Sequence, residues 1–241
     1  MRDLNLEYQD NNARKYSYDF DWLVRKYLLR AFAPHFRADG KTLEMGCYKG
    51  DMTAQVLSYF PKVVVLEGSS ELGEIVRMRF AERVEVIISS FEDASLAEAY
   101  DQIFLVHTLE HVDDPLAILR KARSWLAPSG RLLLAVPNAN ALSRQIAVQM
   151  GWVEFNAAVT PAEAQHGHRR TYSMDTLLSQ VRKAGLQVVA RGGVVVKALA
   201  NFQFDKAIAE GIVDEAYLDA CNELGKTYPD LCASLYVVCA I

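Results

Sequence analysis

The sequence predicts an α/β fold, a mostly parallel sheet with helices on both faces, and three observations carry that prediction. Short apolar segments alternate with stretches whose apolar residues recur at three-and-four spacing. The short segments are apolar throughout, as strands covered on both faces are. Glycine, proline and capping residues fall between the two kinds of segment.

In order along the chain, Phe20, Leu23, Val24, Tyr27, Leu28 and Ala31 predict an amphipathic helix over Asp19–Phe32, which Pro34 and Gly40 end. Thr42–Met45 reads as the first strand, followed by a helix over Asp51–Phe60. Val63–Leu66 is the second strand, and its helix, Ser70–Phe80, sets Leu72, Ile75 and Val76 on one face. Val84–Ile88 is a third strand. Ile103–Val106 leads through LEHVDDP into a helix that Asp114 caps and Pro115 begins, with Leu116, Leu119, Ala122 and Leu126 turned inward and Pro128 and Gly130 closing it. Arg131–Val136 is the next strand. After Pro137 the regularity breaks, and so long an irregular stretch is expected to cover a site. Ser173 caps a helix to Ala184, which Gly185 stops. Val188–Val196 is strand-like, 198–230 reads as a helical insertion with Tyr217, Cys221 and Leu224 as its core stripe, and Leu235–Ile241 is the final strand.

The 241 residues suit one domain: an N-terminal helical lid over 1–40, a cofactor-binding half over 41–136, a substrate-covering insertion over 137–172, and a C-terminal half over 173–241. With 51% hydrophobic and 23% charged residues the chain can bury a core. Lys and Arg total 26 against 30 Asp and Glu, so nothing marks a nucleic-acid partner. No apolar run is long enough for a membrane span, and Met1–Asp10 lacks the basic-then-apolar order of a signal peptide, so a soluble cytoplasmic protein is expected. Cys47, Cys221, Cys232 and Cys239 form no CxxC pair, and reduced, mostly buried thiols are expected.

The segment TLEMGCYKGDMT puts Glu44 at a strand end, then Gly46 and Gly50, then Asp51 opening a helix. A carboxylate in that turn repels a pyrophosphate and attracts an ammonium. Glu67 follows Gly46 by 21 positions, at the end of the second strand, where a carboxylate can accept from both hydroxyls of a ribose. One end of the expected pocket therefore suits an amino-acid group and the other a nucleoside.

With LEMGCYKG, VVVLEGS, VHTLEHVDDP, APSGRLLLAVPN and HGHRRTYSMDTLLSQVRKAGL in this order, the chain resembles the class I S-adenosylmethionine-dependent methyltransferases, in particular the small-molecule enzymes of ubiquinone and sugar methylation, over about 41–189. The resemblance implies a Rossmann-like, seven-stranded, mostly parallel sheet with an antiparallel last strand, and S-adenosyl-L-methionine as cofactor. It implies that Glu44, Gly46, Tyr48 and Gly50 surround the methionine part, that Glu67 with Gly68 takes the ribose, and that Ser90 and Phe91 meet the adenine. It also implies that His107, Leu109, His111 and Tyr16 border the cofactor. Two positions depart from the pattern, Tyr48 where a glycine is usual and Ser90 where an aspartate is usual.

Methyl transfer to an oxygen or nitrogen of a hydrophilic small molecule is the leading expectation, with a sugar, nucleotide sugar or natural-product intermediate as acceptor. His166, His168 and His107 are the candidate bases, since neutral imidazole can take a proton near pH 7. Arg169 and Arg170 are either a clamp for an anionic acceptor or a solvated pair. Tyr8, Tyr16 and Tyr18 either cover the cofactor or pack on the sheet. No third ligand stands near His166 and His168 in the sequence, so no metal is expected. Two alternatives stay open. A nicotinamide oxidoreductase fits the acid after strand two, although the turn lacks the GxGxxG fingerprint. A binding protein without turnover fits Tyr48 and Ser90. No readable motif specifies the acceptor or the oligomeric state.

Overall fold

Seven apolar segments pair into one sheet: β1 (Thr42–Met45), β2 (Val63–Glu67), β3 (Val84–Ile88), β4 (Tyr100–Val106), β5 (Leu126–Pro137), β6 (Gln187–Val196) and β7 (Cys232–Ala240). The computed structural model describes residues 4–12, 18–97 and 99–241. The strand order is β3-β2-β1-β4-β5-β7-β6. β1 to β5 are mutually parallel, and β7 runs antiparallel to both β5 and β6. This is the expected Rossmann-like architecture, including its antiparallel last strand.

Strand alternation divides the core between two faces. Ile103 and Leu105 enter one apolar cluster while Phe104 enters the other; Leu132, Leu134 and Val136 oppose Leu133 and Ala135 in the same way. The first face is covered by α5 (Pro115–Ser124) and α8 (Met174–Lys183) through Ile118, Leu119, Ala122, Leu177, Leu178 and Val181. The second is covered by α2 (Asp19–Phe32), α3 (Asp51–Val56), α4 (Ser70–Phe80), α9 (Asn201–Ala209) and α10 (Glu215–Thr227). Side-chain caps start several of these where expected: Ser69 accepts from Leu72 N, Asp114 from Ala117 N and Ser173 from Thr176 N.

Four expectations are corrected. The helix after β1 ends at Val56, and turns carry the chain on to Phe60. Leu126 belongs to β5 opposite Tyr100 and not to α5, and Pro128 and Gly130 lie in an irregularity of that strand. A Cβ on Gly130 would stand 2.7 Å from the Tyr100 carbonyl oxygen, so close backbone approach, not helix termination, explains the glycine. The 137–172 stretch contains α6 (Leu142–Gln149) and α7 (Pro161–Gln165). In α10 the buried residues are Leu218 and Gly225 and Cys221 packs partly buried against the second cluster as expected, whereas Tyr217 and Leu224 are exposed, so two of the three expected stripe positions are displaced by one. A Cβ on Gly225 would meet Cys232 Sγ at 2.7 Å, and the helix turns its glycine to that contact.

α1 (Leu4–Asn12) precedes these elements and reaches α4 by side-chain bonds. Asn5 Oδ1 accepts from Ser69 Oγ at 2.7 Å, and Gln9 donates to Glu71 at 2.7 Å. All four cysteines are free thiols, with Cys47, Cys232 and Cys239 buried. Among the described residues no helix is long and apolar enough to cross a membrane.

Candidate active site

The strand order reverses between β1 and β4, and at the carboxyl ends of these strands lies a cavity of about 950 Å³. That volume is at the upper end of the range for small-molecule sites, room for two ligands side by side.

The β1–α3 turn forms one wall. Gly46 and Gly50 have φ of +80° and +84°, which glycine adopts without steric cost. Tyr48, between them, has φ +47°, the left-handed region in which a glycine would be unstrained. Its ring is held edge-on to Tyr8 at 6.2 Å, and the Lys49 ammonium stands 5.6 Å from it. Gly46, Cys47 and Tyr48 line the cavity, while Gly50 instead packs against Val76 and Phe80.

Glu44 lies behind this turn, 2% exposed and outside the cavity lining. Neither of its carboxylate oxygens has a hydrogen-bond partner. Burial pushes its pKa up to about 8, with nearby Thr53 and Arg25 pulling the other way. Glu67 does line the cavity. Its oxygens accept from Cys47 N at 3.1 Å and Ser69 N at 3.0 Å, so it ties the β1 and β2 loops together and keeps lone pairs for a ligand. Gly68 is also in the lining, with Leu4 above it.

Ser90 and Phe91 line the cavity after β3, but the Ser90 hydroxyl is engaged locally, donating to Asp93 Oδ2 at 2.7 Å and accepting from Asp93 N at 3.0 Å. Asp93, which no motif in the sequence singles out, brings a carboxylate to the lining from three residues on. Tyr8 and Tyr18 border the same space. Tyr16 lies outside the described residues.

The β4–α5 loop makes the opposite wall. His107 has φ +50°, and its Nε2 is 2.9 Å from Ser234 Oγ. Burial, with Arg25 and His168 adding to it, lowers its pKa to about 3, so the ring stays neutral. Leu109 is fully buried in the apolar core and does not reach the cavity. Glu110 and His111 do reach it. Glu110 is 1% exposed, both carboxylate oxygens lack a hydrogen-bond partner, and burial raises its pKa to about 8.

The chain returns over this loop at 166–170. His166 and His168 both line the cavity, and the rings of His111 and His168 meet edge-on at 4.6 Å. Arg169 and Arg170 are committed elsewhere. Arg169 pairs with Asp113 at 2.6 Å and donates to the His111 carbonyl, and Arg170 donates to the Asp113 carbonyl. They fasten the returning segment to the β4–α5 loop, and neither lines the cavity as a clamp for an anionic acceptor would. Arg144, also unforeseen, pairs with Glu163 at 2.6 Å and bonds the Asn156 and Ala158 carbonyls, joining α6 to α7 above the cavity. For Glu163, burial raises the pKa, but the Arg144 and Thr160 bonds outweigh it and the net shift is downward. Among the described residues His166 and His168 do not share a ligand cluster; the structure gathers a different set, with ligand atoms of Glu110, His111 and His168 within 4.8 Å of one another. Sequence spacing could not reveal this, because the fold supplies it across 57 residues.

Comparison with known proteins agrees with this fold. A family described as a methyltransferase domain matches residues 15–191. A ubiquinone biosynthesis O-methyltransferase of Xanthomonas axonopodis pv. citri (strain 306) is 28% identical over 169 residues, 68% of this chain and 70% of that one. Among solved structures, an S-adenosylmethionine-dependent methyltransferase of Thermotoga maritima superposes with TM-score 0.65 at 18% identity, covering 97% of this chain and 99% of its own. The N-methyltransferase NodS of Bradyrhizobium japonicum WM9, in complex with S-adenosyl-L-homocysteine, gives TM-score 0.57 at 14% identity and covers 92% of this chain and 88% of its own.

Proposed function

Since the chain belongs to the methyltransferase domain family and its methyl donor is S-adenosylmethionine, we propose that it methylates an oxygen or nitrogen of a hydrophilic small molecule, such as a sugar, a nucleotide sugar or a natural-product intermediate. One observation carries the reading. Two carboxyl groups at the tips of adjacent parallel strands, Glu44 and Glu67, flank the Gly46 turn at one end of a cavity whose other end is lined by His166, Asn138, Ser143 and Arg144.

The chain's residues fit the donor. Glu44, a buried carboxyl with no partner, stands behind the turn where an ammonium would be drawn, and the Gly46 and Cys47 backbone borders the cavity there. Glu67 would accept from ribose hydroxyls with its remaining lone pairs, and Ser90, Phe91 and Asp93 would border the adenine. When bound, S-adenosylmethionine supplies an activated methyl on a sulfonium, which is transferred as the carbon–sulfur bond breaks and its electron pair stays on sulfur. The protein's part is to align the acceptor atom with that methyl and to exclude water. α6 and α7, held by Arg144, cover the acceptor end.

His166 is the proposed base for an oxygen acceptor, taking the hydroxyl proton and passing it to water at the cavity mouth. His107 is unsuited, because a ring with pKa about 3 hardly holds a proton at neutral pH. His168 is drawn the same way by burial. A phenolic acceptor is the second reading, favoured by the 28% identical ubiquinone O-methyltransferase.

The test is calorimetry with S-adenosylhomocysteine and with NADH, followed by a panel of sugar, nucleotide-sugar and phenolic acceptors assayed by mass spectrometry. Binding of the first and not the second, with a mass gain of one methylene on a polar acceptor, is the expected result. NADH binding without S-adenosylhomocysteine binding would overturn the donor assignment. Methylation of phenols alone would move the acceptor to the second reading. His166→Ala should lower turnover while leaving donor affinity unchanged.

A further inference from the structure

We propose that Glu110, His111 and His168 form a site for a divalent transition-metal ion, zinc above all, at the acceptor end of the cavity. The three residues reach one point from two segments: the β4–α5 loop carries Glu110 and His111, and the returning segment carries His168. Their ligand atoms lie within 4.8 Å of one another, close enough for modest side-chain rotation to bring all three around one ion. One carboxylate oxygen and two imidazole nitrogens are the donor set of hydrolytic zinc centres that keep a fourth position open.

Glu110 supplies the independent observation. It is 1% exposed, it borders the cavity, and both of its carboxylate oxygens are without a hydrogen-bond partner. A buried carboxylate left unpaired is costly, and a bound cation removes that cost. The position of His168 is built rather than incidental. Arg169 N donates to the Glu110 carbonyl at 2.9 Å, its guanidinium bonds the His111 carbonyl at 3.2 Å, and its charge pairs with Asp113 at 2.6 Å. These bonds clamp the segment bearing His168 against the two residues it would join, as supports of metal ligands do.

The ion's role rests on the methyltransferase reading. A cation beside the acceptor would take the acceptor's hydroxyl oxygen in its open position and ease loss of that proton, which selects oxygen over nitrogen acceptors. Metal binding itself does not depend on that reading, so the two can fail separately.

The experiment uses the full chain, stripped by chelator and titrated with Zn²⁺ by calorimetry and with Co²⁺ by visible absorption, in the absence of donor and acceptor. One equivalent bound, with cobalt d–d bands of a low-symmetry site, is expected. Glu110→Gln and His168→Ala should each weaken Zn²⁺ binding by at least the roughly 10- to 100-fold that loss of a ligand's supporting partner costs, and His35→Ala, outside the cavity lining, should leave it unchanged. S-adenosylhomocysteine binding by each variant shows that it is folded. Absence of binding, or binding that survives both Glu110→Gln and His168→Ala, overturns the proposal. If the metal fails to bind while S-adenosylhomocysteine still binds, the metal site falls and the methyltransferase reading stands. If the metal binds and S-adenosylhomocysteine does not, the metal site stands and the methyltransferase reading falls.

Discussion

The two ends of the cavity are made by opposite means. At the donor end, a short strand and the turn that follows it set each group in place: Glu44, Gly46 and Tyr48 lie within five residues, and Glu67 is bonded to the backbone of that same turn. At the acceptor end nothing is local. Glu110 and His168 meet across 58 positions where Arg169 N and the Arg169 and Arg170 side chains bond back to the β4–α5 loop, and the cover over them is held by Arg144 reaching Glu163 and two carbonyls. Local backbone geometry therefore shapes the first end, and the second depends more on bonds between distant segments, long side-chain bonds prominent among them. A substitution at the donor end should change ligand affinity within an intact framework, whereas one at the acceptor end should loosen the framework itself.

The sharpest probe of the donor end is pH. Ligand-free, Glu44 keeps its proton up to about pH 8, while in the unfolded chain a glutamate ionises near 4.5. Unfolding then releases a proton, so this residue's contribution to stability is greatest below pH 4.5 and is lost as pH rises toward 8. At pH 7 the loss is about 3 kcal/mol. Glu44→Gln should raise ligand-free stability at pH 7 by an amount of that order and flatten the decline between pH 5 and 8, measured by denaturant melts. Glu110, raised in the same way, maintains part of the slope. Wild-type donor affinity should rise from pH 6 to 8 as an ammonium draws Glu44 into its ionised form, and the Gln variant should lose that rise. A wild-type stability that does not fall with pH over this window would show the carboxyl to be ionised already, and the donor end to be less closed than its geometry indicates.

At the acceptor end, Arg144→Ala removes a half-buried guanidinium from Glu163 and from two backbone carbonyls. Breaking one member of a fully buried pair costs about 3 to 5 kcal/mol, and partial exposure brings the expectation here to about 2 kcal/mol. Because Glu163 has a lowered pKa, its pairing stabilises the protein above about pH 4.5 and is lost as pH falls below that. The variant's deficit should accordingly shrink in acid. Equal donor affinity in wild type and variant, alongside faster proteolysis within 140–165, would bear out the contrast between the two ends. A drop in donor affinity as large as the drop in stability would erase it.

Glu67→Ala tests the donor end by affinity. It removes the acceptor of Cys47 N and Ser69 N and, on the proposed reading, charge-assisted bonds to a ribose. The expected loss is about 1.5 kcal/mol, a little over tenfold in Kd for S-adenosylhomocysteine. Glu67→Gln, which retains one carbonyl acceptor, should recover part of it. Unchanged calorimetric affinity in the Ala variant would mean that the ribose lies elsewhere.

The same contrast explains what is legible in the sequence. The succession of strands, the Gly46 turn and the acids after β1 and β2 can be read because each depends on neighbours within a few residues. The β5 irregularity cannot, since Pro128 and Gly130 have the appearance of a helix stop until Tyr100 is placed beside them. Glu110 escapes notice because a glutamate between Leu109 and His111 at a helix approach looks solvated, and only the folded chain shows it buried and close to His168. Arg169 and Arg170 present the same two charges to either reading, and Asp113, more than fifty residues earlier, decides between them.

Tyr48 tests how far the donor end depends on its turn alone. Its left-handed backbone costs about 1 to 2 kcal/mol relative to glycine, and its edge-on contact with Tyr8 returns about 0.5 to 1.5 kcal/mol. The two nearly cancel, so Tyr48→Gly should leave the melting temperature almost unmoved. The local consequence is different. α1 is held over the turn by Tyr8 as well as by the bonds of Asn5 and Gln9, and without the Tyr48 ring it should open more often, with amide exchange over Leu4–Asn12 faster by about tenfold or less. Donor affinity should hold, because the glycine keeps the turn's path and Glu67 still binds Cys47 N. If exchange in α1 does not change, Tyr8 gains nothing from Tyr48, and the strained residue is offset by its other contacts, the Lys49 ammonium among them. If donor affinity falls while exchange is unaltered, the Tyr48 ring itself contacts the ligand, and the donor end would then share the side-chain dependence that distinguishes the acceptor end.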